Sequence, residues 1–169
     1  MTKNPQTILE GRYHVVPRTI VFLVLNEKVL LQKAPDSKKI FPGCYNGIGG
    51  HIERGESVLE GARRELQEET GLTCDNLRLA GTIMIDVDAA EGILLFVLTG
   101  DQVQGELVDS EEGSLHWIPI TELATYKVVE DVPELVNRVR EYDDTGAVFF
   151  GKYLYDDNGR KSTTWLTAP

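Results

Sequence analysis

The segment Ser57–Thr70 does most to limit what this chain can fold into. Ser57 is a good helix N-cap, Glu60 three residues later completes a capping box, and Gly71 stands where a helix end takes a left-handed residue. On a wheel of about 100° per residue, Val58, Leu59, Ala62 and Leu66 form one apolar stripe, while Glu60, Arg64 and Gln67 point away. A short helix with one apolar stripe is unstable alone and must be laid against something. Its surroundings are β-rich. Thr19–Leu25 and Val29–Lys33 read as a hairpin around Asn26-Glu27-Lys28, with Gly81–Asp86, Ile93–Thr99 and Ser114–Ile118 as further strands. Ala34–Gly50 is rich in Pro and Gly and reads as a loop with room for a short strand. A helical turn follows Pro119 at Thr121–Ala124, and Asp131–Asp143 is a second helix with Val132, Leu135, Val136 and Val139 on one face. Ala147–Tyr155 and Lys161–Leu166 flank Asp157-Asn158-Gly159, a hairpin signal. The expected fold is α/β, a mixed β-sheet with a helix on each side. Residues 1–18 form an arm, frayed or an edge strand, and 19–169 a single domain.

Charge and apolar runs exclude several functions. Acidic residues outnumber basic ones 27 to 17, so a duplex-DNA grip or an anionic membrane surface is disfavoured. Phosphate substrates that arrive with divalent cations remain open, because acidic side chains collect such cations. The longest apolar runs, Ile20–Leu25 and Ile93–Leu98, are far short of a membrane span. No apolar leader precedes Arg18, and Cys44 and Cys74 are too few for a disulfide framework, so the expected location is cytoplasmic, with two ordinary thiols.

The first helix carries an anomaly. Glu65 and Glu69 fall beside Val58 at the edge of the apolar stripe, with Glu68 next around. Charge on the packed side of a helix is costly, and Glu65 and Glu69 are also an i, i+4 like-charge pair. Arg64 is placed for Glu68 at i+4 and badly placed for the other two. Such a pair calls for a cation, and an all-oxygen set without His suits Mg²⁺ or Mn²⁺ better than Zn²⁺.

The spacing around these acids is specific. Gly50 is followed by Glu56, then by Arg64-Glu65-Leu66, Glu68-Glu69 and Gly71-Leu72. With average residue frequencies, a chance match at one start point is on the order of one in 10⁹. Residues 50–72 resemble the signature box of the Nudix hydrolases at every fixed position. The resemblance implies the Nudix-type α/β/α sandwich and hydrolysis of a nucleoside diphosphate linked to another group. It implies that Glu65, Glu68 and Glu69 bind metal, that the carbonyl of Gly49 or Gly50 joins them, and that Arg64 orients a glutamate, with Glu68 the candidate. Glu56 matches a glutamate that orients rather than ligates. Either Glu68 or Glu69 takes the proton of the attacking water.

The flanking stretches resemble the MutT-like branch, which hydrolyses oxidised purine nucleoside triphosphates. Tyr45-Asn46-Gly47-Ile48-Gly49-Gly50 matches the stretch whose Asn contacts the base edge, although Asn46 is also a natural turn residue. Glu112, with Glu111 as the fallback, matches one more metal-site glutamate. Glu130 and Asp131 match a carboxylate pair over the base, able to share one proton and so present a donor beside an acceptor. Asp131 is equally a natural N-cap. Phe22, Phe41 and Trp117 are candidates to stack on the base. His51 stands where this branch commonly has Lys, which weakens a phosphate contact and makes it pH-dependent; Tyr45 replaces the usual Trp. Between Thr73 and Ile118 there is no Pro and no Tyr, unlike the ADP-ribose and diadenosine branches. The expected activity is Mg²⁺-dependent cleavage of a purine nucleoside triphosphate such as 8-oxo-dGTP to monophosphate and pyrophosphate. The alternatives are another nucleoside-diphosphate derivative, dihydroneopterin triphosphate, or a nucleotide sensor without turnover. The partner is a small nucleotide, with no nucleic acid polymer and no membrane, and the chain is a monomer or homodimer.

Overall fold

Burial on both faces explains the longest strand. The computed structural model describes residues 11–156 and 158–168. In chain order its elements are β1 (His14–Leu25), β2 (Lys28–Lys33), β3 (Tyr45–Asn46), α1 (Val58–Thr70), β4 (Thr73–Cys74), β5 (Arg78–Asp86), β6 (Glu91–Gly100), β7 (Val103–Gln104), β8 (Ser114–Pro119), a 3₁₀ helix (Ile120–Thr125), α2 (Val132–Thr145), β9 (Phe149–Tyr155) and β10 (Lys161–Thr167). Within β1, Ile20 and Phe22 join the core layer that includes Val132, Leu135, Val136 and Val139 of α2. Val21 and Leu23 join the layer that includes Ala62 and Leu66 of α1. A strand covered on both sides reads as a continuous apolar run rather than an alternation. Each fully buried side chain of this size contributes roughly 1.5–3 kcal/mol.

Eight strands share one sheet, in the order β10-β9-β5-β6-β1-β2-β3, with β8 also on β2. The sheet is mixed: β1 runs parallel to β6 and β5 parallel to β9, and the remaining pairs are antiparallel. This is the α/β/α sandwich the sequence implies. The β1–β2 turn is tight because Asn26 and Glu27 both take positive φ, the twist a two-residue hairpin needs. A β-bulge at Ala80 interrupts the β5–β6 register, and Gly81 beyond it lets the Phe149 ring lie flat against the strand, where any Cβ would collide.

Several expectations shift. The arm ends earlier than expected, since β1 starts at His14; Pro17 needs no N–H there, and its carbonyl accepts from Ile52 N–H at 3.1 Å. Residues 1–10 of the expected arm lie outside the described residues. Ser57 caps α1 with the full capping box, and Gly71 ends it at φ 73°. Leu59 is not core but 38% exposed, and its place in the packed surface goes to Gly61 and Thr70. The turn at 121–124 is a 3₁₀ helix, Ile120–Thr125. In the last hairpin, Asp157 lies outside the described residues, and Asp156 organises the turn by accepting from Asn158 N–H (2.9 Å) and Arg160 N–H (2.8 Å). Among the described residues, no helix is long and apolar enough to cross a membrane.

Candidate active site

The glycine stretch after β3 is pinned along β1. Ile48 exchanges backbone hydrogen bonds with Val21 (2.7 and 3.2 Å), and Gly50 O accepts from Thr19 N–H at 2.9 Å. Gly49 has φ 151°, and a Cβ there would strike the Thr19 carbonyl. A Cβ on Gly50 would come within 2.6 Å of Glu65 Oε1, so this turn passes directly over the flank of α1. Glycine is required at Gly49 by the backbone it approaches, and at Gly50 a side chain would displace the Glu65 carboxylate.

That flank carries the acids. Arg64 grips Glu56 fork to fork, with Nε–Oε1 at 2.7 Å and Nη2–Oε2 at 3.0 Å, and its Nη2 also donates to the His51 carbonyl at 3.0 Å. Nη1 reaches Glu65 Oε1 at 2.8 Å and Glu68 Oε2 at 3.2 Å. The expectation that Arg64 serves Glu68 alone is therefore corrected. A guanidinium has five donors, enough for Nε and Nη2 to hold Glu56 while Nη1 serves both Glu65 and Glu68. Arg64's hydrogen bonds, with Glu53 N–H next in weight, hold the Glu56 carboxyl down at about 2. Glu56 is thus committed to Arg64.

Glu69 is treated in the opposite way. Its Oε2 accepts from Gly49 N–H at 3.3 Å. Burial, with the Glu65 charge and then the Glu112 charge alongside, pushes its carboxyl up to about 7. Glu112, rather than Glu111, is the acid that acts on Glu69 across the gap, and Lys38 pairs with it at 2.6 Å. Glu68 is exposed.

At the other end of the glycine turn, Asn46 Oδ1 accepts from Gly47 N–H at 2.9 Å, so its turn role is realised. Strand β3 also bonds to the segment before α2: Tyr45 N–H donates to Lys127 O at 2.8 Å, and Val129 N–H to Tyr45 O at 2.9 Å. Glu130 and Asp131 therefore follow directly on a strand-like contact with the Asn46 strand. The two side chains face different neighbours. Glu130 turns to Lys161 of β10 at 3.3 Å, and Asp131 lies beside the Tyr153 hydroxyl. Asp131 occupies the cap position of α2 without making a side-chain cap bond, because its backbone is already helical. Burial first, and Asp131 next, push the Tyr153 phenol up.

Two substrate-contact expectations change. Phe22 is fully buried in the core beneath Gly47 and has no face to offer a base. His51 Nε2 accepts from Arg18 Nε at 3.1 Å, so the position expected to weaken a phosphate contact comes with an arginine beside it. Arg18, Lys38, Tyr153 and Lys161 had no signal in the sequence; each reaches its partner through strand or loop placement, not through spacing.

The NUDIX domain model matches residues 15–139. The chain belongs to the NUDIX family. It is similar to the oxidized purine nucleoside triphosphate hydrolase of Mus musculus, 32% identical over 106 residues, covering 62% of this chain and 67% of that protein. The Danio rerio protein of the same name is 33% identical over 106 residues, with the same coverage. Among solved structures, a MutT protein from Bacillus halodurans superposes with a TM-score of 0.75 at 25% identity, covering 89% of this chain and 97% of that one. This is a MutT-like Nudix hydrolase, an enzyme that acts on pyrophosphate bonds.

Nudix hydrolases use divalent metal ions, and the residues here fit one. The available donors are all oxygens, from Glu65, Glu69, Glu112 and the Gly49–Gly50 turn, a set that suits a hard cation. The Gly50 position keeps the turn close enough to crowd Glu65. Among the described residues no three acids stand together at metal-ligand distance. Arg64 draws Glu65 away and Lys38 draws Glu112 away.

Proposed function

We propose that this Nudix hydrolase is a Mg²⁺- or Mn²⁺-dependent pyrophosphohydrolase of purine nucleoside triphosphates, including oxidised ones such as 8-oxo-dGTP. Residues 19–169 act as its single catalytic domain, in the cytoplasm. The observation that carries this reading is the Gly47–Gly50 turn. It joins an under-neutralised acid cluster (Glu65, Glu69, Glu112) to a hydrogen-bonding end (Asn46, Glu130, Asp131) along one backbone path pinned to β1.

A divalent cation, when bound, neutralises phosphate charge and makes a water more acidic. Glu65, Glu68 and Glu69, with Glu112 and a Gly49 or Gly50 carbonyl, would hold it. Gly50 O already accepts from Thr19 N–H, which leaves that carbonyl one lone pair. Arg64, itself fixed by Glu56, orients Glu65 and Glu68. His51 and Arg18 face the phosphates. Glu68 or Glu69 accepts the proton as water attacks phosphorus. The bridge between the α- and β-phosphates breaks, giving the monophosphate and pyrophosphate. Asn46, Glu130 and Asp131 hold the base edge.

Pyrophosphate release with Mg²⁺ on a panel of substrates tests the reading. The expected result is highest kcat/KM on purine triphosphates. Faster cleavage of ADP-ribose or dihydroneopterin triphosphate overturns the substrate. Nucleotide binding without turnover on any compound overturns the reaction in favour of a sensor.

A further inference from the structure

Strand β2 ends where β8 begins, with Lys33 opposite Ser114. The loops on either side, residues 34–43 after β2 and 109–113 before β8, diverge around a cleft of about 220 Å³ lined by Lys33, Ala34, Pro35, Asp36, Gly113 and Ser114. One bond rejoins them: Lys38 Nζ lies 2.6 Å from Glu112 Oε2. Among the described residues, no other hydrogen bond or ion pair joins residues 35–41 to anything outside 34–44. The ends of the first loop are tied down, since Ala34 N–H donates to Cys44 O at 3.0 Å and Lys127 Nζ to Pro42 O at 2.7 Å. Glu112 stands on a tight turn, where Ser110 and Gly113 exchange backbone bonds and Glu112 N–H donates to Ser110 Oγ at 3.3 Å. Lys38 is thus carried to the edge of the acid cluster by a loop with fixed ends and a single strap. After burial and Glu65, the charges that act on the Glu69 carboxyl are Glu112, which raises it, and Lys38, which lowers it.

We infer that Lys38 is a phosphate-binding residue that exchanges partners: it holds Glu112 until a divalent cation takes that carboxylate, and then turns to the phosphates of the nucleotide. The exchange rests on the proposed reading of Glu112 as a metal ligand. The Lys38 and Glu112 side chains are 42% and 52% exposed, so the bond between them is weak and readily remade. Two cations drawn to one carboxylate repel each other, and within a few ångströms that repulsion outweighs what an exposed ion pair contributes. A divalent ion on Glu112 therefore displaces the ammonium. An ammonium is a point charge on a flexible stem, with three donors and no acceptor, and needs a new anion. The nucleotide brings one to the same cluster, and the anchored loop keeps Lys38 beside it.

Titration calorimetry of the full chain with Mn²⁺, without nucleotide, is the first measurement. Lys38→Met, which keeps the stem and loses the charge, is expected to tighten Mn²⁺ at least about threefold. Lys39→Met removes the same charge one residue along the loop and should move the affinity less than twofold. With metal saturating, pyrophosphate release from the best purine triphosphate should show KM raised at least about threefold by Lys38→Met, more than kcat falls, and largely restored by Lys38→Arg. Either change short of threefold overturns the exchange, as does a Lys39→Met variant that tightens Mn²⁺ equally, a loss confined to kcat, or an arginine variant no better than methionine. A strap with only a structural role would leave Mn²⁺ affinity where it is. Glu112→Gln should weaken Mn²⁺; if it does not, the reading of Glu112 as a ligand falls and the exchange with it. If the wild type takes up no Mn²⁺ or cleaves no purine triphosphate, the proposed function itself falls. Weakening in Glu112→Gln without tightening in Lys38→Met defeats the exchange alone.

Discussion

The two ends of the active site hold carboxylates in opposite ways. Around α1, Arg64 holds Glu65 and Lys38 holds Glu112, while Glu69 is left with a single backbone donor and a carboxyl raised to about 7 by burial and by those two acids. At the head of α2, Glu130 pairs with Lys161, and Asp131 has the buried Tyr153 hydroxyl nearby without a hydrogen bond at good geometry. A half-buried acid such as Glu69, crowded by other acids and held by a backbone donor alone, is an arrangement that waits for a mobile cation. An acid paired with a fixed ammonium, as Glu130 is, has less need of a mobile cation. Glu56 sits with the first group in the chain but behaves like the second, because Arg64 holds both of its oxygens and Glu53 N–H adds a third bond.

The contrast can be broken by matched substitutions. Glu69→Gln is expected to lower kcat on the order of 10³-fold, since several kcal/mol of transition-state stabilisation pass through the metal end. Glu130→Gln should leave kcat within about threefold and act on KM. Steady-state kinetics on the two variants would abolish the distinction if both lost kcat alike. The next effect concerns pH. Glu69 binds its proton more tightly folded than unfolded, so stability of the metal-free protein falls as pH rises from about 4.5 to about 7, by at most about 3 kcal/mol. Thermal melts in chelator at pH 5 and pH 8 measure this, and Mg²⁺ should raise the melting temperature more at pH 8. A flat profile would mean that the crowding carries no energy.

Arg64→Lys sharpens the comparison further. A lysine cannot span Glu56, Glu65 and Glu68 at once, and activity should fall about 10- to 100-fold with the fold retained. Wild-type activity in that variant would show that the fork is incidental. The smallest effect belongs to the scaffold: Ser57→Ala should cost about 1 kcal/mol of stability, read by denaturant melts, and leave substrate preference untouched.

The sequence shows the acids of α1 better than those at the head of α2, for a physical reason. Glu56, Arg64, Glu65, Glu68 and Glu69 belong to one helix and its approach, where spacing converts directly into direction. Even there the wheel placed Leu59 in the core and gave Arg64 one partner, because it describes angles and not side-chain reach. Glu130 and Lys161 stand on different elements, the head of α2 and strand β10, and only sheet order brings them together. The short pair β4–β7 and the start of β1 at His14 escaped for the same cause. Two-residue ladders and a strand through Pro17 have no periodic pattern to detect, and they exist because neighbouring segments supply their hydrogen bonds.

Strand β10 is hydrogen-bonded in the sheet to β9 alone, at the outer rim. Trp165 nonetheless ties this one-sided ribbon to the core layer, meeting Phe149 and Tyr153 edge-on at 5.8 Å each. The rim is thereby locked by aromatic contacts where its ladder is one-sided, so loosening of the fold from this edge would have to begin with release of the Trp165 ring.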